Sequence, residues 1–200
     1  MPSVSLTTFV DFVLASGTPK ITCIKRAKEL YEEEYQPKFD FWLPLRNAII
    51  ELHKLNMPKS ALNVVLEGLS DKRKATAYPS SVDSYMKWMG NKKFEWVGCD
   101  SALWQYGSLQ VRVNPELGLR INGNVHLIKL YFKVEQPSKR RLETTLFLMS
   151  TTLDMPKSQI VPALLDVQRG KLFSETSFPL NISALLAGEA AAFSTMWGQL

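Results

Sequence analysis

Cysteine and histidine are scarce in this sequence. Its two cysteines, Cys23 and Cys99, and its two histidines, His53 and His126, lie far apart along the chain. No C-x-x-C spacing occurs, so neither a disulfide framework nor a zinc site built from cysteine and histidine is indicated. Isolated cysteines of this kind are typical of reduced thiols, and we therefore expect a cytoplasmic protein.

The sequence also lacks long apolar runs. No stretch reaches the roughly 18 consecutive apolar residues that indicate a transmembrane helix. The segment MPSVSLTTFVDFVLASG has no basic residues before its apolar ones, and Asp11 interrupts the apolar run, so we do not expect a signal peptide. These absences predict a protein that does not enter a membrane.

Nucleotide-binding loops are a third absence. Neither G-x-x-x-x-G-K-[ST] nor G-x-G-x-x-G occurs, so folds that are recognised by those loops are not indicated. The 200 residues are 46% hydrophobic and 22% charged, which is the balance of an ordinary globular protein. The net charge of +5 is compatible with an anionic partner but does not require one.

Residues 1–92 have the apolar spacing of helices. Helix-capping signals and prolines divide this region into five segments. The predicted helices start at Ser5, at Thr18, at Asp40, after Pro58 and near Ser80. The sequence therefore predicts a helical N-terminal region.

From Lys93 onward the apolar residues alternate, which is the spacing of β-strands. Asn122-Gly123 lies between two alternating runs and is the strongest hairpin signal in the chain, because a type I′ turn needs positive φ at both positions. The predicted class is α+β, with a β-β-β-α-β-α core at residues 93–200. We expect a mainly antiparallel sheet that contains this hairpin, is packed by helices, and forms one compact unit with residues 1–92.

The turn at Asn122-Gly123 fixes a register for the hairpin. If these two residues form the loop, Ile121 faces Asn124, and Leu117 lies opposite Ile128 on an apolar face. On the other face Glu116 then falls directly opposite Lys129. Such a pair is either a cross-strand ion pair or part of a site in which the carboxylate binds a metal ion and the lysine orients water.

The order of strands and helices over residues 93–175 resembles the core of the PD-(D/E)XK, or restriction-endonuclease-like, nuclease superfamily. The segment NPELG stands where the first acidic motif of that family would be, and LIK stands where its (D/E)-x-K motif would be. The resemblance implies that Glu116 and Lys129 are catalytic, that Glu116 binds Mg²⁺, and that the protein is a metal-dependent phosphodiesterase or nuclease. Leu127 occupies the position of the second carboxylate, and Glu143 is the candidate for a supporting acid.

Basic residues follow the hairpin. Lys133, Lys139, Arg140 and Arg141 form a cluster that extends into the first turn of a predicted helix capped by Ser138. An anionic partner such as nucleic acid would offset the unfavourable position of cations at a helix N-terminus, although a solvated basic turn explains the cluster as well.

The sequence is compatible with two functions. The first is a nucleic-acid-associated protein with a degenerate or weakly active nuclease-like core. The second is a non-enzymatic protein whose helical region binds a protein partner and whose sheet is a scaffold. The nuclease hypothesis predicts that Glu116, Lys129 and another acid converge in a concave site.

Overall fold

The protein has an α+β fold, in which helices pack against two β-sheets. The structure is a computed structural model that describes residues 1–32, 40–153, 160–174 and 177–200. The helices are α1 (Leu6–Leu14), α2 (Thr18–Glu32), α3 (Leu43–Lys54), a 3₁₀ segment (Lys59–Leu66), α4 (Lys72–Met89), α5 (Lys139–Thr152) and α6 (Ile182–Gln199). The strands are β1 (Ser3–Ser5), β2 (Phe94–Trp96), β3 (Ala102–Tyr106), β4 (Leu109–Val113), β5 (Leu117–Ile121), β6 (Asn124–Tyr131), β7 (Ile160–Asp166) and β8 (Lys171–Phe173).

The larger sheet has the strand order β2-β5-β6-β7-β8, and the smaller one has the order β1-β4-β3. The neighbours β6 and β7 are parallel, and α5 is the connection between them. The pairing of β1 with β4 is also parallel, whereas the remaining neighbours are antiparallel. The β1–β4 pair joins the beginning of the chain to residues beyond position 100.

The predicted hairpin register is confirmed. Ile121 pairs with Asn124 and Leu117 pairs with Ile128. Asn122 and Gly123 both have positive φ, as a type I′ turn requires. The turn residues therefore place Glu116 beside Lys129 at the open end of the hairpin.

Two hydrophobic cores lie on opposite faces of the larger sheet. One face of β5 and β6 packs against α3, the 3₁₀ segment and α4. The other face of β6 packs against α1, α2, α5, α6 and the smaller sheet. The face that carries Lys129 is therefore a second core and not a solvated surface, because Leu127 and Tyr131 on either side of Lys129 are buried in it.

The helical region differs from the sequence prediction in two places. The segment after Pro58 is a 3₁₀ helix, and α4 begins at Lys72 instead of near Ser80. The side chain of Asp71 accepts a hydrogen bond from the backbone N–H of Arg73 and caps α4, and the helix then continues through Pro79. Proline inside a helix removes one backbone hydrogen bond, and packing of Tyr78 and Val82 into the core compensates for that loss. Of the helices in the described ranges, none combines the length and apolar character that a membrane crossing needs.

Candidate functional site

A large cleft lies at the carboxyl end of β6. Its volume is about 1080 Å³, which is at the upper end of the range for small-molecule sites. The cleft is bounded by β1 and α1 on one side and by the residues that follow β4 and β6 on the other. The end of α2 and the start of α3 complete the wall, so the site is formed by both the helical region and the sheet.

Glu116 and Lys129 face this cleft as a closely bonded pair. Lys129 Nζ donates to Glu116 Oε1 at 2.6 Å, and each side chain is only 10% exposed. The same ammonium donates to the backbone oxygen of Asn114 at 2.9 Å. Lys129 is therefore held by partners that lie just before β5.

The second oxygen of Glu116 bonds to the backbone. Glu116 Oε2 accepts a hydrogen bond from the N–H of Leu130 at 2.8 Å. Pro115 lies at the point where the two strands separate and has no N–H, so the strands do not continue their ladder there. Glu116 satisfies a buried backbone donor that the end of the ladder would leave without a partner.

Asp11 joins the helical region to the sheet on the opposite wall of the cleft. Both of its carboxylate oxygens accept from Lys133 Nζ, at 2.7 and 2.8 Å, and Oδ1 also accepts from Arg141 at 2.7 Å. The guanidinium of Arg141 lies over the ring of Tyr131, with its carbon 5.6 Å from the ring centroid. One carboxylate therefore balances two cations, which come from the end of β6 and from α5.

Three further charged residues line the cleft. Arg46 Nη2 donates to both carboxylate oxygens of Asp40, at 3.0 and 2.8 Å, beside Trp42. Arg112 on β4 is exposed and has no ion-pair partner among the described residues. The charged residues that line the cleft are five cations, Arg46, Arg112, Lys129, Lys133 and Arg141, and three carboxylates, Asp11, Asp40 and Glu116. The described part of the cleft thus carries an excess of positive charge.

The remaining predicted site residues lie outside the cleft lining. Lys139 is 83% exposed and lies 3.6 Å from Glu143 across one turn of α5. Arg140 pairs with Glu189 of α6 at 3.5 Å. Lys139 and Arg140 were predicted to share a cluster with Arg141 because the three are neighbours in the chain, but of these three only Arg141 lines the cleft. Glu143, the candidate supporting acid, pairs with Lys139 instead.

Sequence reasoning missed Asp11, Arg46 and Arg112 as site residues. Asp11 is the one charged residue of α1, and Arg112 alternates with buried valines on β4, so both positions stand out in the pattern. Nothing in the sequence shows that residues 130 positions apart, such as Asp11 and Arg141, form an ion pair.

The described residues do not provide a cluster for a metal ion. Within residues 1–32, 40–153, 160–174 and 177–200, no three carboxylate, imidazole or thiol groups are placed to share a cation. Both oxygens of Glu116 already accept hydrogen bonds within the protein. The second acid that the nuclease hypothesis requires beside Glu116 is thus not present in the part of the chain that the structure describes.

Cys99 lies close to the pair and is not an activated nucleophile. Burial raises the pKa of its thiol to about 11, and the charge of Glu116 contributes in the same direction. The thiol donates to the backbone oxygen of Pro115 at 3.3 Å. At neutral pH it is a protonated hydrogen-bond donor.

No protein-family model matches this sequence, and a search of curated proteins finds no relative for it.

Proposed function

We propose that this chain binds single-stranded nucleic acid in the cleft and does not hydrolyse it. The observation that carries this proposal is that the described residues lining one cleft of about 1080 Å³ include five cations and three carboxylates. Phosphate groups supply most of the affinity in such complexes, because their neutralisation by lysine and arginine releases counterions.

The ion pairs in the cleft do not neutralise all of its cations, so positive charge remains for a ligand. Asp40 and Glu116 each balance one cation, and Asp11 balances two. Arg112 is exposed, and the Lys133 side chain is 41% exposed. These two residues are the cations we expect to contact the phosphates first.

Aromatic groups and further cations extend from the rim of the cleft. Trp42 lies in the wall, where its ring is stacked between those of Tyr78 and Phe132 and also packs edge-on against that of Phe41, with the Trp42 and Phe41 centroids 4.9 Å apart. The cations of Arg73 and Lys74 lie about 6 Å from the Phe41 ring centroid. Proteins that bind single strands combine a basic groove with free aromatic faces for the bases, and because both faces of the Trp42 ring are covered, the support at this rim comes from the two cations.

The same geometry argues against hydrolysis. A nuclease of the PD-(D/E)XK type needs acids that hold a divalent cation, and hard cations require several oxygen ligands. Glu116 instead bonds to the backbone N–H of Leu130 at the open end of the hairpin, and Lys129 compensates its charge. The resemblance to that superfamily thus supports a nucleic-acid ligand better than it supports a reaction.

The proposal is tested by fluorescence anisotropy with labelled 15-nucleotide DNA and RNA strands. The R112A/K133A variant should bind at least tenfold more weakly than the wild type, because two phosphate contacts are lost. The K54A/K87A variant removes the same charge from exposed positions outside the cleft and should bind within about twofold of the wild type. Equal losses in both variants would show that the cleft is not the binding site.

A cleavage assay tests the second half of the proposal. Wild-type protein should leave both strands intact in the presence of Mg²⁺ or Mn²⁺. Metal-dependent cleavage that is lost in E116A and K129A would contradict the proposal and establish the nuclease hypothesis.

A further inference from the structure

We propose that Asp11 occupies the position at which the cleft receives a phosphate monoester, so that the cleft prefers a phosphorylated strand end over an internal phosphodiester. This inference rests on the proposed function and names the part of the nucleic acid that the cleft selects.

The contacts of Asp11 are those that a bound phosphate would make. Its two oxygens receive three charge-assisted hydrogen bonds, two from Lys133 and one from Arg141. Lysine and arginine converging on one group of oxygens is the usual geometry of phosphate recognition. All three side chains line the cleft, and those of Asp11 and Lys133 are 32% and 41% exposed, so a ligand in the cleft can reach Asp11 and Lys133.

The burial of Arg141 explains why the cleft contains the carboxylate of Asp11. Its side chain is only 13% exposed, and its guanidinium packs on the Tyr131 ring. A cation with this little access to water needs an anionic partner. Asp11 is that partner in the free protein, and an incoming phosphate must compete with it for the same donors.

The competition depends on the charge of the phosphate. A phosphodiester and a carboxylate each carry one negative charge, so exchanging one for the other gains little electrostatic energy. A phosphate monoester carries roughly 1.5 to 2 negative charges near pH 7 and has three terminal oxygens. A strand end with a monoester therefore competes with Asp11 more effectively than the interior of the strand.

Two ionisable groups near Asp11, the thiol of Cys23 and the phenol of Tyr131, do not add negative charge. Burial raises the pKa of the Cys23 thiol, and the charge of Asp11 raises it further. Burial likewise raises the pKa of Tyr131, whose hydroxyl donates to the backbone oxygen of Glu135. Both groups are neutral at pH 7, so neither of them competes with a phosphate for Lys133 and Arg141.

The test compares three strands of one sequence, with a 5′-phosphate, a 3′-phosphate or hydroxyl groups at both ends. Wild-type protein should bind at least one phosphorylated strand about tenfold more tightly than the hydroxyl-ended strand. In D11N the internal competitor loses its charge, so the phosphorylated strand and the hydroxyl-ended strand should both bind more tightly than they bind the wild type, and D11N binding that is not tighter for any strand would overturn the role of Asp11. D83N, which makes the same change at an exposed position on α4, should keep the wild-type affinity for each strand.

The outcomes separate this inference from the proposed function. If wild type binds all three strands equally and R112A/K133A still weakens binding, the proposed function stands and the role of Asp11 is wrong. If no strand binds, both are wrong.

Inorganic phosphate serves as a competitor, and if it binds as tightly as the phosphorylated strand, the position belongs to free phosphate and the end preference is overturned. Thermal melting of D11N should give a single transition, which shows that the binding data describe a folded protein.

Discussion

At the scale of single residues, Glu116 is the clearest case in which a side chain that looks catalytic has a structural explanation. It accepts from Lys129 through one oxygen and from the Leu130 N–H through the other, and it is 10% exposed. Removing one member of a buried ion pair leaves the other member uncompensated. The Glu95–Arg120 pair on the same sheet is a suitable comparison, because it has a distance of 2.9 Å but is largely exposed.

We therefore expect E116A to lower the free energy of unfolding by about 3 kcal/mol. The matched change E95A should lower it by less than about 1 kcal/mol, since water screens an exposed pair. Urea denaturation measures both values. Equal effects of the two substitutions would show that Glu116 has no special structural role.

His53 is a second residue with a distinct physical consequence. It is buried, its Nε2 lies 2.6 Å from the hydroxyl of Tyr85, and burial lowers its pKa to about 4. In the unfolded chain the His53 imidazole becomes protonated below about pH 6.5, whereas in the folded protein it becomes protonated only near pH 4. The contribution of His53 to stability is therefore complete above pH 6.5 and is lost as the pH falls toward 4.

Comparison with H53F isolates this contribution. The free energy of unfolding of wild type minus that of H53F should decrease by about 2 to 3 kcal/mol between pH 7.5 and pH 4. Denaturant unfolding at four pH values measures the difference. A difference that does not change with pH would mean that His53 is protonated to the same degree in both states.

At the scale of secondary-structure elements, the hairpin was predictable and the helices were predictable only in part. Asn122-Gly123 specifies the turn locally, and the side-chain alternation then fixes the register, so Glu116 beside Lys129 could be predicted from a short segment. The extent of α4 could not, because Pro79 reads as a helix boundary until its tertiary packing is known. The burial of both faces of β6 depends on α5 crossing back to the parallel strand β7, which no local pattern shows.

Gly118 tests the packing of β5 at this scale. A Cβ atom at position 118 would lie 1.7 Å from the backbone oxygen of Gly98, so the G118A variant requires the segment before β3 to move. We expect G118A to destabilise the protein by several kcal/mol, about 3 or more, as overpacking does. G188A serves as the control, because Gly188 lies inside α6 with no atom within 4 Å of an added Cβ. It should stabilise the protein by about 0.5 to 1 kcal/mol, and a stable G118A would contradict the close contact.

At the scale of the whole molecule, the site exists only because distant parts of the chain meet. Asp11, Arg46, Arg112 and Lys133 come from α1, α3, β4 and the end of β6 and line one cleft. Half of the charged residues in the site could be predicted from the sequence, namely Glu116, Lys129, Lys133 and Arg141. The other half is Arg112 on β4 together with Asp11, Asp40 and Arg46, whose positions depend on how α1 and α3 dock against the sheets, and the sequence pattern does not specify that docking.

The salt dependence of single-strand binding tests the central claim most directly. Each phosphate contact adds about 0.7 to the slope of the logarithm of affinity against the logarithm of salt concentration. Wild-type protein should show a steep decrease in affinity with salt, and R112A/K133A should have a slope smaller by about 1.4, while K54A/K87A keeps the wild-type slope. Binding that does not depend on salt, or slopes that are equal in wild type and R112A/K133A, would contradict the assignment of the cleft as a nucleic-acid site.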